Sequence, residues 1–376
     1  MNFTLTQEQR ELQELARDFA ANELRPIAGE WDAKDDYPPG LLARAAGLGL
    51  TSYRIPREYG GGGIDAVTGA IVAEELSFGC AALAATIGAT MFPVRPLVRF
   101  GTEEQRQRYL PRLAAEEGCL AAIAFTEPHA GSDLNAMRAT ARRDGDGWLL
   151  NGEKCYVTNG GIAELTVVFA RTEAGLSAFL VERDDPGVLA GRKEQKVGLR
   201  ASYTGSLVLE DARIPSDRLL GDDGEGFAVA IDFFEHSRPQ VAAGAVGVAR
   251  AAFEYATEYA REREAFGKPL IARQGISFKL ADMAMEIEAA RLLTWRACAA
   301  LDAGEDAVLL LGSYAKAFAA DTAMRATTEA VQVLGGAGIM RDHPVEKWLR
   351  DAKVFQIVEG TSEIQRHVIA SYLRRG

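Results

Sequence analysis

Cysteine and histidine are scarce in this chain, with four of each among 376 residues. Cys80, Cys119, Cys155 and Cys298 are far apart and form no CxxC pair. That spacing argues against a structural zinc site or a disulfide framework. Buried thiols in a reducing compartment are expected instead. No two histidines stand at i, i+4, so the usual helical metal-ligand pair is missing and no metal is expected. Basic charge is in deficit: 42 Lys and Arg face 53 Asp and Glu, for a net charge of −11. The clustered cations of a nucleic-acid binder are therefore lacking. No apolar run reaches the roughly 18 residues of a membrane span. The start, Met1-Asn2-Phe3-Thr4-Leu5-Thr6, has no basic segment leading into an apolar one, so no secretory signal is read there. A soluble, cytoplasmic, metal-free globular protein is the expectation. Its length suits two or three domains of roughly 150 residues each.

What is present falls into three textures. The first third reads helical. Thr6-x-x-Gln9 can form a capping box, and Leu12, Leu15, Ala16 and Phe19 follow on one helical face. Pro26 ends or kinks that helix. Ala-, Leu- and Glu-rich stretches continue to about residue 117. The run Gly60-Gly61-Gly62-Gly63 reads as a connector rather than a phosphate loop, because no β-type run leads into it. From about residue 120, short runs rich in β-branched and aromatic residues alternate with turn signals such as Asp144-Gly145-Asp146-Gly147 and Asp184-Asp185-Pro186-Gly187. They predict a small antiparallel sheet or barrel. After Gly226 long Ala-rich segments predict a helical bundle. One of them, Ala242–Ala260, is apolar, but Arg250, Glu254 and Glu258 mark one side of it as a bundle helix. The expected architecture is α+β multidomain: an all-α domain over 1–120, a β domain over 121–225 and a four-helix bundle over 226–376.

Three stretches exceed what packing needs. In Phe125-Thr126-Glu127-Pro128-His129-Ala130-Gly131-Ser132-Asp133, small residues, hydroxyls and free amides can approach a planar or phosphorylated ligand; composition alone also fits a plain turn. In Tyr156-Val157-Thr158-Asn159-Gly160-Gly161, an aromatic and a hydroxyl share one strand face, as a ring platform or as an ordinary cross-strand pair. In Val358-Glu359-Gly360-Thr361-Ser362-Glu363, a carboxylate between apolar residues and glycine can sit desolvated as a general base. The same residues read as a helix start, with Thr361 or Ser362 as cap and Glu363 in the first turn. That second reading leaves Glu359 without a purpose.

Together these stretches resemble the acyl-CoA dehydrogenase family of flavoproteins over nearly the whole chain. Residues 126–133 (TEPHAGSD) look like its TEPGAGSD segment, and 156–161 (YVTNGG) like its [WF]ITNGG segment. Arg263-Glu264-Ala265-Phe266-Gly267 is similar to R-x-x-FG, Gln332-Val333-Leu334-Gly335-Gly336-Ala337-Gly338 to Q-x-LGG-x-G, and Glu359-Gly360-Thr361-Ser362 to EGTS. Tyr59-Gly60-Gly61 and Arg350-Asp351 are further markers. The resemblance implies a helical domain, a middle β domain and a four-helix bundle, with FAD between the last two. It places Phe125, Thr126, Ser132, Tyr156, Val157, Thr158, Thr361 and Glu363 against FAD. Arg263, Phe266, Gln274, Gln332, Val333, Leu334, Gly335 and Gly336 would serve the cofactor of a neighbouring subunit, so a dimer or a homotetramer is implied. Ser132, Glu235, Ser237, Arg238 and Gly360 would hold the acyl-CoA, with Glu359 the base that removes its α-proton.

The implied activity is dehydrogenation to the trans-2-enoyl-CoA, with electrons passed to an electron-transfer flavoprotein. The alternatives are an acyl-CoA oxidase or other oxygen-using enzyme on the same scaffold, or a non-catalytic flavin-binding member, which would need a basic face that this acidic chain lacks. Some family branches carry the base at the position of Ser237, where serine cannot serve. Arg238 has a plain alternative as a helix salt-bridge partner. Three residues depart from the family pattern. His129 replaces a glycine, Tyr156 replaces Trp or Phe, and Val358 replaces a frequent Tyr, which leaves room for a branched or bulky acyl group. Arg95, in a helical stretch near the implied acyl pocket, reads equally as a partner for a polar acyl tail and as part of a solvated face.

Overall fold

The computed structural model describes residues 4–374. Among the described residues six α-helices come first: α1 (Gln7–Phe19), α2 (Ala28–Lys34), α3 (Leu41–Gly47), α4 (Ala66–Ala89), α5 (Val94–Phe100) and α6 (Glu103–Ala114). The expected capping box opens α1: the Gln9 amide donates to Thr6 Oγ1 at 3.2 Å and the Thr6 amide to Gln9 Oε1 at 3.0 Å. Ala16 and Phe19 of its apolar stripe are buried. Ahead of Pro26 the helix loosens into a wide turn over Ala20–Leu24 and then tightens over Arg25–Ile27, as a missing amide and a fixed φ require. The four-glycine run is a connector, its amides spent on the preceding loop through Gly62 to the Ser52 carbonyl and Gly63 to the Ile55 carbonyl.

Against the expectation that no run reaches span length, the segment Ala66–Phe100 is long and apolar enough to cross a membrane. Of its most apolar window 83% is buried inside the protein, which is the behaviour of a core helix.

Eight strands form one sheet: β1 (Ala121–Ala124), β2 (Thr140–Asp144), β3 (Gly147–Thr158), β4 (Leu165–Arg171), β5 (Leu176–Glu182), β6 (Val188–Lys193), β7 (Thr204–Pro215) and β8 (Leu219–Leu220). The order is β6-β7-β3-β2-β4-β5-β8, with β1 against β4. The expected antiparallel pattern holds except around β4, which runs parallel to β1 and, at Thr140–Arg171, to β2. Parallel neighbours need a long return of chain, and β2 and β3 lie between β1 and β4 in sequence. Alternation sends Val167 and Phe169 to the core shared with the helices, and Val168 and Ala170 to a second core on the other face.

The last domain holds α7 (Gly226–Glu262), a small hairpin β9 (Glu264–Ala265) and β10 (Lys268–Pro269), then α8 (Gln274–Ala303), α9 (Val308–Leu334), α10 (Val345–Phe355) and α11 (Ser362–Leu373). Small residues let its helices approach. A Cβ on Gly247 of α7 would stand 2.3 Å from the Glu74 carbonyl of α4. Arginines from three helices stitch to the buried carboxylates of α4, with Arg250 2.8 Å from Glu74, Arg291 2.9 Å from Glu74 and Arg17 2.9 Å from Glu75. A second joint gathers all three regions at α10. Arg350 pairs with Asp32 at 2.7 Å, and Asp351 accepts the Leu199 amide at 2.6 Å and the Lys347 ammonium at 2.5 Å.

Candidate active site

A cavity of ≈ 180 Å³ opens between α4, α7, the end of β3 and the turn before α11. Most of its wall is apolar, from residues such as Leu76, Ala84, Ile87, Phe233 and Val241. Glu359 stands on this wall beside Val358, Thr158 and Ser237. Its carboxylate accepts a hydrogen bond from Ser237 Oγ at 2.8 Å. Burial pushes its pKa up, while the Ser237 hydroxyl and the Arg238 and Lys316 charges act the other way. The Glu359 amide donates to no acceptor among the described residues.

The backbone around this acid is unusual. Glu359 has φ 54 and Gly360 φ 87, two successive left-handed residues, of which only the second is free of side-chain strain. Such a turn persists only when its surroundings over-determine it, and three fixings do so. Lys316, wholly buried on α9, donates to the Gly360 carbonyl at 2.6 Å. Gln365 Nε2 donates to the carbonyls of Gly360 at 2.9 Å and Glu359 at 3.2 Å. Asp321 receives Gln356 at 2.7 Å, Ser362 at 3.1 Å and Arg366 at 2.6 Å. Burial pushes the Lys316 pKa down to about 8, against the pull of Glu359. Thr361 is also the N-cap, accepting the Ile364 amide at 3.2 Å. The cap and the buried acid thus coexist in one segment.

Of the other expected residues, Phe125 is buried in an aromatic cluster, stacked on Phe169 with centroids 4.2 Å apart. Its loop is clamped by a residue that the sequence left without a task. Glu127 is buried and accepts the Arg138 and Ala139 amides at 2.6 and 3.0 Å and Lys154 Nζ at 2.7 Å. Burial disfavours its charge, but Lys154 and those amides outweigh it and hold the carboxyl below the ordinary range. His129 Nε2 lies 3.3 Å from the same carboxylate. Thr126 is half-buried and Ser132 exposed. A bulge in β3 between Lys154 and Val157 sets Tyr156 at φ 57 with its ring 66% exposed, while Val157 is buried. The Thr158 side chain, on the cavity wall, has no hydrogen-bond partner among the described residues. Glu235 is half-buried and its carboxyl is raised by burial. Arg238 does not make the helix salt bridge that was one reading of it. It is 5% exposed, with Nη1 3.4 Å from Ser313 Oγ and its guanidinium over the Phe234 ring.

A second group lies elsewhere. Arg263 caps the end of α7, Gln274 begins α8, and Gln332, Val333 and Leu334 end α9. Phe266, at φ 53, is 96% exposed. Exposed Gln332, Gly335 and Gly336 lie near it in kind, with open space around both glycines, whereas Val333 and Leu334 are buried. Along α7, Ser237 and Arg263 are separated by roughly 39 Å at about 1.5 Å per residue. Ser237 and Arg263 therefore stand far apart within one chain. Glu363 is exposed in the first turn of α11. Lys316 and Gln365 escaped the sequence reading; the available signal was a lone lysine in the run Ala315-Lys316-Ala317-Phe318-Ala319-Ala320.

Unpartnered Thr158 beside the buried acid, the clamped 125–139 loop and the uncovered Tyr156 ring suit a flavin, whose ring needs flat apolar cover and polar edge contacts. Comparison with known proteins bears on the same point. The acyl-CoA dehydrogenase N-terminal, middle and C-terminal domain models match residues 6–117, 122–212 and 224–373. An acyl-CoA dehydrogenase of Bacillus subtilis is 43% identical over 99% of both chains. The solved butyryl-CoA dehydrogenase of Megasphaera elsdenii is 40% identical with a TM-score of 0.96, covering 99% of this chain and 100% of that one. A chain from the structure described as the electron transferring flavoprotein of Acidaminococcus fermentans is 39% identical, with a TM-score of 0.96 over 100% of both. A complex of PigA with FAD shares the fold at a TM-score of 0.95 and 31% identity, over 100% of both. The chain belongs to the acyl-CoA dehydrogenase family. It is an oxidoreductase, and its cofactor is FAD.

Proposed function

We propose that the protein dehydrogenates an acyl-CoA thioester across its α,β bond, giving the trans-2-enoyl-CoA, with Glu359 as the base. The observation that carries this reading is the Glu359 carboxylate on the cavity wall, 2.8 Å from Ser237 Oγ and raised by burial. An α-hydrogen of a thioester is barely acidic, so its removal needs a base poised near working pH and donors for the enolate oxygen. The free Glu359 amide supplies one such donor. Bound FAD supplies the acceptor for the β-hydrogen, which leaves as hydride. Ser237 orients the carboxylate, and Lys316 with Gln365 holds the turn that presents it. Phe125, Thr126, Ser132, Tyr156, Val157, Thr158, Thr361 and Glu363 hold the cofactor from this chain. Glu235, Ser237, Arg238 and Gly360, with Ser132, hold the CoA thioester.

The second group, roughly 39 Å away along α7, completes the cofactor site of a neighbouring copy, so the working form is a dimer or a dimer of dimers. An electron-transfer flavoprotein is the electron acceptor, the kind of protein for which one structural neighbour is named. Four buried free thiols support a reducing compartment, hence a cytoplasmic site. Anaerobic mixing with a panel of acyl-CoAs tests the reaction. Some member should bleach the flavin, and Glu359→Gln should slow bleaching by about 10²–10⁴-fold while the yellow colour stays. Unchanged bleaching in that variant sinks the assignment. Reoxidation faster with the carrier than with air separates a dehydrogenase from an oxidase.

A further inference from the structure

The cavity that holds Glu359 also holds charge of the opposite sign. Arg54 and Arg95 line it together with His236, and the same three residues line an adjoining cleft bounded by Val94, Leu301 and Asp302. Glu359, Val358 and Thr158 line only the first cavity. The three therefore form the partition at the end away from the base. Consistent with that separation, the cations acting on Glu359 are Arg238 and Lys316.

Arg95 is partly engaged, its Nε and Nη2 each 2.7 Å from Asp232. Arg54 is not. Its guanidinium is half-buried and has no hydrogen-bond or ion-pair partner among the described residues, and the nearby Asp302 carboxylate is spent on the Ala66 and Val67 amides at 2.8 and 3.3 Å. Burial and the Arg95 charge push its pKa down, against the pull of groups including the Asp302 carboxylate. His236 Nδ1 lies 2.9 Å from the Asp232 carbonyl; a carbonyl only accepts, so Nδ1 carries the hydrogen. Burial and the arginines push the ring down to about 4, so at neutral pH it adds no positive charge and no anion.

Between base and cations the wall is apolar, through Ala84, Ile87, Ala89, Met91 and Phe92 among others. An unpaired guanidinium at one end of an apolar channel is unfavourable until an anion reaches it. A carboxylate matches its fork bidentately, and a terminal methyl would leave it unpaired.

We propose that the preferred acyl group ends in a carboxylate, an ω-carboxyacyl thioester whose tail pairs with Arg54, with Arg95 beside it. This rests on the dehydrogenase reading above and deepens it. Pockets built around a charged partner discriminate strongly against analogues that lack it.

The test uses the purified FAD-loaded enzyme and pairs of equal carbon count: succinyl-, glutaryl-, adipyl- and pimelyl-CoA against butyryl-, valeryl-, hexanoyl- and heptanoyl-CoA. Flavin bleaching should favour the ω-carboxy member of the best pair by about 10²-fold or more in kcat/KM. In Arg54→Gln that preference should collapse, with the apolar partner gaining, and Arg54→Lys should restore part of it. Equal or better turnover of the apolar acyl-CoAs by the unaltered enzyme overturns this inference and leaves the dehydrogenase reading standing. So does an Arg54→Gln variant that loses both members of the pair equally. Bleaching by no acyl-CoA at all overturns both.

Discussion

The two ends of α7 carry expected cofactor and substrate residues in opposite states. Near its start, Ser237 and Arg238 are buried and engaged, and everything around Glu359 is fixed from three sides. At its far end Phe266 is 96% exposed, Gln274 and Gln332 are exposed, and two glycines face open space. The group around Glu359, the proposed base, is held by contacts within one chain. The far group is left open, and in the proposed assembly a second copy buries it. Large apolar side chains left uncovered at a loop tip are the usual sign of such a face.

Variants can break this contrast if it is wrong. The largest effect belongs to Glu359→Gln, with its loss of about 10²–10⁴-fold in bleaching rate and no change in flavin content. Next is Lys316→Met. It strips the Gly360 carbonyl of one donor in a buried place and removes a cation that favours the ionised Glu359. Bleaching should slow by roughly tenfold, about the 1–3 kcal/mol of a buried group left unpaired. The acid limb of the pH–rate profile should also move to higher pH, because Glu359 then holds its proton more tightly. A slower rate with an unmoved limb would reduce Lys316 to packing. At the other end, Phe266→Asp should act on assembly: gel filtration should show a smaller species and flavin should be lost on dilution, both more strongly than the rate per bound flavin falls. A full-sized, fully yellow Phe266→Asp enzyme would contradict the division.

The smallest effect is on stability. Folding lowers the Lys316 pKa from 10.5 to about 8. Between those values the unfolded chain binds a proton that the native chain does not, so this group's contribution rises with pH across that window. Urea unfolding at pH 8 and pH 10 should show the unaltered enzyme gaining relative to Lys316→Met. An equal response of both proteins would remove this titration from Lys316.

How much of this could be read in advance depended on whether local chemistry or tertiary contact decides the outcome. The α1 cap and the disturbance ahead of Pro26 follow from adjacent residues, and both are present. The strands announced themselves through β-branched runs, yet β1 is Ala121–Ala124, almost without such residues, and its parallel partner is 44 residues on. Nothing local specifies that pairing. Glu359 was legible because no helix-start argument needed it. Lys316 and Arg54 were not, because lysine and arginine are exposed by default, and only the packing of α9 and the 52–55 loop overrides that. The plain alternative for Arg238, a helix salt bridge, failed for the same reason: its neighbours in sequence offered carboxylates, but the fold turned it inward to Ser313.

The joint at α10 has a mechanical meaning. Arg350 and Asp351 grip the first helical region and the sheet from one turn of one helix, and a Cβ on Gly198 would lie 2.1 Å from the Arg350 carbonyl. With charged pairs and backbone so tightly meshed there, none of the three regions can loosen without exposing unpaired ions in the others. Heating should accordingly melt the molecule as one cooperative block, giving a single calorimetric peak in place of a staircase.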